Sequence, residues 1–335
     1  MKEALFWRMG ADGKVRCELC PHYCVIPEGK TGRCRVRANS GGRLMSLNYG
    51  KVVSVALDPI EKKPLYHFHP GKAILSLGTN GCNFGCKYCQ NWELAEAKAP
   101  ADDIQASDVP ALVQRAKSFG VAYTYNEPFV WYEFVLDSAR LCQALGFKNV
   151  LVTNGFVNPE PLEELLPFID AFNIDIKSME QDFHDKLTGG KVDPVLETCR
   201  RANAKAHVEI THLVIPGHND TEAQFEKLAA WVADNLGPFT PTHLSAYFPR
   251  HKLDAPPTTL ATLLAAKKIF DRRLKYVYIG NAPTAEGADT LCPVCGNLLI
   301  QRVGYHSRVV GLEGTVVGLK GTICARCSAG SHIIL

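Results

Sequence analysis

Between residues 73 and 279, short apolar runs alternate with longer stretches whose apolar positions recur every three or four residues. The runs at 73–78, 121–125, 149–153, 171–176, 208–214, 243–247 and 276–279 are rich in Val, Ile, Leu and Tyr. Their length and composition predict buried strands. The intervening stretches at 108–118, 130–145, 160–168, 194–206, 222–236 and 259–274 have helical periodicity. Strand and helix alternating in this way specify parallel βα units and an α/β fold. Six or seven units suit a partial (β/α)6-type barrel better than a full eight-fold one. A doubly wound sheet has the same periodicity and stays open as the alternative.

The flanks break the pattern. Residues 1–70 hold glycine-rich turns and β-like pieces around 44–57, and residues 285–335 hold short apolar pieces without a clear helix. Three parts are expected: a cysteine-rich N-terminal β module (1–70), the barrel (71–284) and a small C-terminal module (285–335). Segments as short as the flanks need a staple in place of a large core.

Composition narrows the function. With 335 residues, 46% of them apolar and 21% charged, the chain reads as a soluble globular protein. A formal net charge of +3 gives no general reason for nucleic-acid binding. No uncharged apolar run reaches bilayer length, and the first residues lack the apolar core of an export signal. The expectation is a cytoplasmic protein with no membrane association.

Cysteine carries the chemistry. Of 13 cysteines, Cys17, Cys20, Cys24 and Cys34 form one group, Cys82, Cys86 and Cys89 a second, and Cys292, Cys295, Cys324 and Cys327 a third. Clustering at CxxC-type spacing in a long chain points to metal ligation, not a disulfide framework. Cys142 and Cys199 stand alone and are expected to be small buried hydrophobes.

The triplet directly follows the first strand of the βα series. Three thiolates on one tight loop suit three irons of a 4Fe–4S cluster, leaving the fourth iron open to a non-protein ligand. The competing reading is a zinc site with a remote fourth ligand, although structural zinc is normally enclosed by four ligands at paired spacing. Cys292-x2-Cys295 with Cys324-x2-Cys327 is the paired-knuckle pattern of a zinc ribbon, and rubredoxin-type iron suits the same four sulfurs. For Cys17, Cys20, Cys24 and Cys34 the spacing leans to zinc, with an auxiliary iron–sulfur cluster as the alternative and His22 as a substitute for one thiolate.

Polar residues recur where the strands are expected to end: Asn126 and Glu127, Asn154, Asp175 and Lys177, His212, His251, and Asn281. In barrel-like βα folds chemistry gathers at that face. One shared site explains the recurrence better than independent caps and turns.

The CxxxCxxC triplet with Tyr88 before its last cysteine resembles the hallmark of the radical S-adenosylmethionine (SAM) superfamily. The segment from Asp58 to Gly71, the run Cys89-Gln90-Asn91-Trp92 and the two flanking quartets resemble the AmmeMemoRadiSam-system radical enzyme family. That family is itself similar to the pyruvate formate-lyase activating enzymes. The resemblance implies a 4Fe–4S cluster on Cys82, Cys86 and Cys89, and SAM held by its amino and carboxylate groups on the open iron. It suggests Glu127 and Asn126 for the ammonium, where the superfamily pattern has Gly-Gly-Glu and this chain departs from it. Asp175 then suits the ribose diol, Lys177 the carboxylate and Asn154 a second polar anchor. Tyr88 and His251 complete the expected cofactor contacts.

The chemistry implied is reductive cleavage of SAM and hydrogen abstraction under anaerobic conditions, with an external donor of flavodoxin or ferredoxin type. Two targets compete, an organic small molecule and a backbone glycine of a glycyl-radical enzyme, and the family's two companion proteins are candidate partners. A different class, a metal-stapled adaptor binding protein or nucleic acid, would have no use for polar residues on successive strand ends.

Overall fold

The computed structural model of the chain describes residues 1–315 and 321–335. Its centre is an eight-stranded sheet among the described residues: β1 (Ser54–Pro59), β2 (Ala73–Gly78), β3 (Gly120–Tyr123), β4 (Lys148–Thr153), β5 (Ala171–Asp175), β6 (His207–Val214), β7 (Thr242–Ala246) and β8 (Val277–Gly280). Spatial order equals chain order throughout. β2 to β8 pair in parallel, and β1 lies antiparallel on β2. A doubly wound sheet would reverse its order at a switch point. None occurs here, so the sheet is a singly wound barrel, and no ladder among the described residues joins β8 back to β1. The expected partial barrel is therefore the fold.

The strands form where the sequence is β-branched and apolar on both faces, as a sheet covered on both sides requires. Six helices cover its outside: α1 (Val109–Arg115), α2 (Tyr132–Ala144), α3 (Pro159–Leu165), α4 (Val192–Asn203), α5 (Glu222–Asn235) and α6 (Leu260–Phe270). Their starts are written in the sequence. Thr221 caps α5 by accepting from Gln224 N while Gln224 reaches back, and Thr259 caps α6 through Thr262 N. The main core lies between these helices and the strands and includes Cys142 and Cys199, both fully buried.

The inside of the barrel is filled differently. The chain between β1 and β2 folds into the N-terminal end of the barrel. There Ile60, Leu65 and Phe68 pack on Ile74, Ala122, Val150 and Ala171. Beside them the backbone N–H groups of Tyr66 and His67 donate to Glu209 at 2.9 and 2.7 Å. β1 and this plug precede residue 71, where the sequence places the start of the barrel. Their pairing partners lie in β2 and β6, which a local pattern cannot reveal.

Two antiparallel three-stranded sheets build the N-terminal flank, and short hairpins build the C-terminal one. The latter docks beneath the barrel through His69 N to Ile334 O (2.6 Å) and Ile334 N to His67 O (2.8 Å). Among the described residues no helix is long and apolar enough to cross a membrane.

Candidate active site

Cys82, Cys86 and Cys89 lie on the loop that leaves β2, at the C-terminal face of the barrel. Gly81 has φ +102°, and a Cβ there would come within 2.6 Å of Val36, so the N-terminal flank rests directly on the loop. The far side is pinned by a short α turn (Gln181–Phe183) that continues in π geometry over His184–Thr188. Gly85 N donates to Thr188 O at 2.8 Å and Lys87 N to Leu187 O at 2.9 Å. Gly190 lets the Phe84 ring approach to 2.1 Å from where a Cβ would stand. This pinning element was not expected from the sequence. It is too short to show a period, and its one signal was the Gly189-Gly190 pair after it.

Burial pushes the Cys86 thiol up to about 11, and the nearby Lys177 charge pulls it back. A desolvated thiol needs cationic compensation to ionise, which bound metal supplies. The three sulfurs do not close on a single-ion centre: among the described residues, they do not all lie within 4.8 Å of one another. That spread suits ligands shared out over several irons.

Asp175 closes β5 and forms a 2.8 Å ion pair with Lys177, at side-chain exposures of 34% and 14%. The pair faces the cysteine loop, with Lys177 Nζ 6.0 Å from the centroid of the Tyr88 ring. Tyr88 is buried and its hydroxyl has no partner in the structure.

Glu127 sits differently. It is 1% exposed and accepts from Phe129 N at 3.0 Å, Thr153 Oγ1 at 2.7 Å and Asn154 N at 2.8 Å. It ties the end of β3 to the end of β4. Burial raises its carboxyl to about 7 against those three donors. Asn126 braces the same region, accepting from Thr79 N at 3.1 Å and donating to Gly81 O at 2.9 Å. Asn154 donates to Asn83 Oδ1 at 2.9 Å and to the sulfur of Cys82 at 3.7 Å. His251 stacks on Trp92 at 5.3 Å between ring centroids, with Glu96 3.7 Å from its Nε2. The expected cofactor contacts thus fall into two sets. Asp175 and Lys177 are open beside the thiols, whereas Asn126, Glu127 and Asn154 are engaged with the protein. Thr153, Asn83 and Thr79 join that brace and were missed, because their partners are strand ends far apart in sequence.

The C-terminal quartet is closed. Cys292 and Cys327 sulfurs are 3.6 Å apart, Cys295 and Cys324 3.7 Å, and all four lie within 4.8 Å of one another. This is the geometry of four thiolates around one ion.

A model of the radical SAM superfamily matches residues 76–232. An uncharacterized protein of Methanocaldococcus jannaschii is 42% identical over 319 residues, covering 93% of this chain and 95% of its own. The chain belongs to the radical SAM superfamily. The pyruvate formate-lyase 1-activating enzyme of Escherichia coli (strain K12) is 31% identical over 162 residues, which is 46% of this chain and 66% of that enzyme. The crystal structure of a radical SAM methyltransferase from Sphaerobacter thermophilus superposes with a TM-score of 0.51 at 18% identity, over 69% of this chain and 71% of that one. At that identity the likeness is one of fold. Membership in the radical SAM superfamily supports an enzyme and implies a 4Fe–4S cluster and SAM. The half-buried Asp175–Lys177 pair beside three half-buried thiols fits both.

Proposed function

We propose that this radical SAM protein cleaves SAM reductively and abstracts hydrogen from an organic small molecule. The observation that carries the reading is the Cys82–Cys86–Cys89 loop held at the C-terminal face of the barrel, with Asp175 and Lys177 open beside it. When bound, the cluster and SAM supply the electron transfer and the 5′-deoxyadenosyl radical, with the electron coming from an external donor of flavodoxin or ferredoxin type. The chain's own residues do the positioning. Lys177 offers a cation for a carboxylate, Asp175 an acceptor for a diol, and Glu127 ties together the ends of the neighbouring strands β3 and β4. The segment 181–188 and the loop at His251 and Lys252 hydrogen-bond to the backbone of the cysteine loop at Gly85 and Lys87.

The match to the M. jannaschii protein spans both flanks, whereas the match to the activating enzyme is limited to 46% of this chain. The whole-chain architecture with its two quartets supports the AmmeMemoRadiSam family, with that system's companion proteins as partners. The second reading, activation of a glycyl-radical enzyme, is favoured by the similarity to pyruvate formate-lyase activating enzymes.

Anaerobically reconstituted protein with dithionite and SAM should release 5′-deoxyadenosine and methionine, and Cys86→Ala should release neither. Absence of both products from the parent would overturn the proposal. Deuterium carried from a small molecule into 5′-deoxyadenosine supports the first target, and a glycyl-radical EPR doublet on a partner enzyme the second.

A further inference from the structure

The segment Asp58–Gly71 carries two adjacent lysines that the site described above does not use. Both reach one carboxylate. Lys62 Nζ lies 2.8 Å from Asp58 Oδ1 and Lys63 Nζ 2.7 Å from Asp58 Oδ2. Their surroundings differ: the Lys62 side chain is 46% exposed and that of Lys63 2%. Lys62 alone neutralises Asp58 and keeps its own charge in water. Lys63 is then a surplus cation inside the protein, with one hydrogen-bond acceptor among the described residues for its three N–H donors. Glu61 does not relieve it, being turned to Gly71 N at 2.7 Å. An ammonium buried without a counter-charge of its own is costly, and the cost falls away when the group sheds its proton. Burial depresses the Lys63 amine below its ordinary 10.5; Asp58 opposes that shift and Lys62 adds to it.

The amine sits inside the barrel, at its floor. Asp58 is paired with Ile74, whose side chain packs against the plug, so this face of β1 and β2 is the inner one. On β4 and β5 the inner face runs upward through Val150 and Val152, and through Ala171, Asn173 and Asp175. Val152 and Asp175 are partly exposed, so a space reaches down the lumen from the face that carries the thiols. Tyr125 roofs the amine. On β3, Val121 and Tyr123 face the helices, and continued alternation would put residue 125 there too. Its φ of +73° turns the side chain inward instead. The ring passes Gly78, where a Cβ would come within 2.9 Å of it, and its centroid stands 4.3 Å from Lys63 Nζ. Its hydroxyl donates to Asp58 Oδ2. A left-handed tyrosine is strained, and such strain clusters at functional sites. Beside that hydroxyl, Ser76 Oγ is buried without a hydrogen-bond partner among the described residues.

We propose that Lys63 is a nucleophile that binds an aldehyde or ketone substrate as a Schiff base on the barrel floor. The inference rests on the small-molecule reading above and names the class of molecule. A lysine desolvated beside a second cation is an arrangement that yields a free amine near neutral pH. The ammonium first gives one proton to solvent. Its nitrogen then attacks the carbonyl carbon, and the carbonyl oxygen leaves as water with the two remaining amine protons. A C=N bond replaces C=O, and no electron is gained or lost overall. The Tyr125 hydroxyl, which shares Asp58 Oδ2 with the amine, is placed to pass protons to the departing oxygen, with Ser76 behind it. The bond fixes the carbons next to the imine in the lumen, below the Asp175–Lys177 pair.

The test uses the full reconstituted chain without SAM. Pyruvate, glyoxylate and glycolaldehyde are the probes, each with sodium cyanoborohydride to reduce any imine formed. Peptide mapping by mass spectrometry should place the first adduct at Lys63 with at least one probe, ahead of the exposed lysines. Adducts confined to exposed lysines with all three probes would overturn the proposal, as would no adduct at all. Lys63→Arg keeps the cation and should lose that adduct, with circular dichroism and iron content like the parent. In Lys62→Gln the amine should still be trapped, but its rate–pH profile should move to higher pH because a depressing charge is gone. An unmoved profile would overturn the two-lysine arrangement, since a merely structural Lys63 has no such profile to move. Trapping needs neither the cluster nor SAM. An adduct at Lys63 therefore stands even if the parent never forms 5′-deoxyadenosine, and 5′-deoxyadenosine formed by a parent without the adduct removes Lys63 alone.

Discussion

Asn154 donates from its side-chain amide to the sulfur of Cys82 across 3.7 Å, while its own backbone N–H is held by Glu127. A donor to a ligand sulfur draws electron density from a cluster and eases its reduction. Asn154→Ala should therefore keep the iron of the central site but lower its midpoint potential, on the order of tens of millivolts. SAM affinity should change little, because Asn154 is buried against the protein. An EPR-monitored redox titration checks the first point and equilibrium dialysis the second. An unchanged potential with lost SAM binding would restore Asn154 to the cofactor-anchor role that its sequence position suggests.

The Asp175–Lys177 ion pair behaves oppositely. Asp175→Ala and Lys177→Ala leave the thiols and their pinning hydrogen bonds untouched. Iron content should stay at the parent level in both. Loss of one charge-assisted contact should cost about 1.5–3 kcal/mol, roughly ten- to a hundredfold in SAM affinity. Calorimetric titration of SAM into the reconstituted variants measures it. Parent-like affinity in both would remove Asp175 and Lys177 from the cofactor site.

The contrast between these residues shows what the sequence could tell. The strand–helix alternation and the CxxxCxxC spacing are local, so the barrel and the thiol loop were legible, and Asp175 and Lys177 stand out as charges ending an apolar strand. Glu127 stood out for the same reason, but its three donors come from Phe129, Thr153 and Asn154, and only the folded sheet brings the last two to it. The plug is the same case on a larger scale. Tyr66 and Glu209 meet across 143 positions, and no periodicity encodes that.

The closed C-terminal quartet should act as a staple. Cys292→Ser or Cys324→Ser removes one of four ligands from a module whose buried core is small. Metal content should fall by one ion per chain, thermal stability and solubility should drop, and protection of the His67–His69 amides from exchange should weaken. Iron at Cys82, Cys86 and Cys89 should remain. Metal analysis with hydrogen exchange reads both. Full metal content in both variants would mean that the quartet is not the ligand set.

The plug makes the barrel sensitive to acid. Glu209 is fully buried and accepts from Tyr66 N, His67 N, His207 Nε2 and His243 Nε2 at 2.6–2.9 Å. Burial alone would raise its carboxyl, but these donors hold it well below the ordinary 4.5. Its stabilising effect is therefore complete above that value and fades as pH falls below it. Burial also lowers His67 from 6.5 to about 3, so the unfolded chain gains a proton there first, and stability starts to decline below pH 6.5. Glu209→Gln turns one acceptor atom into a donor facing other donors. Each donor left unsatisfied should cost about 1–3 kcal/mol at pH 7.5. That gap should narrow below pH 4.5, where the parent also loses its carboxylate. Denaturant titrations of both proteins across pH 3.5–7.5 decide the matter. A gap that stays constant with pH would mean that the Glu209 charge is not what holds the plug.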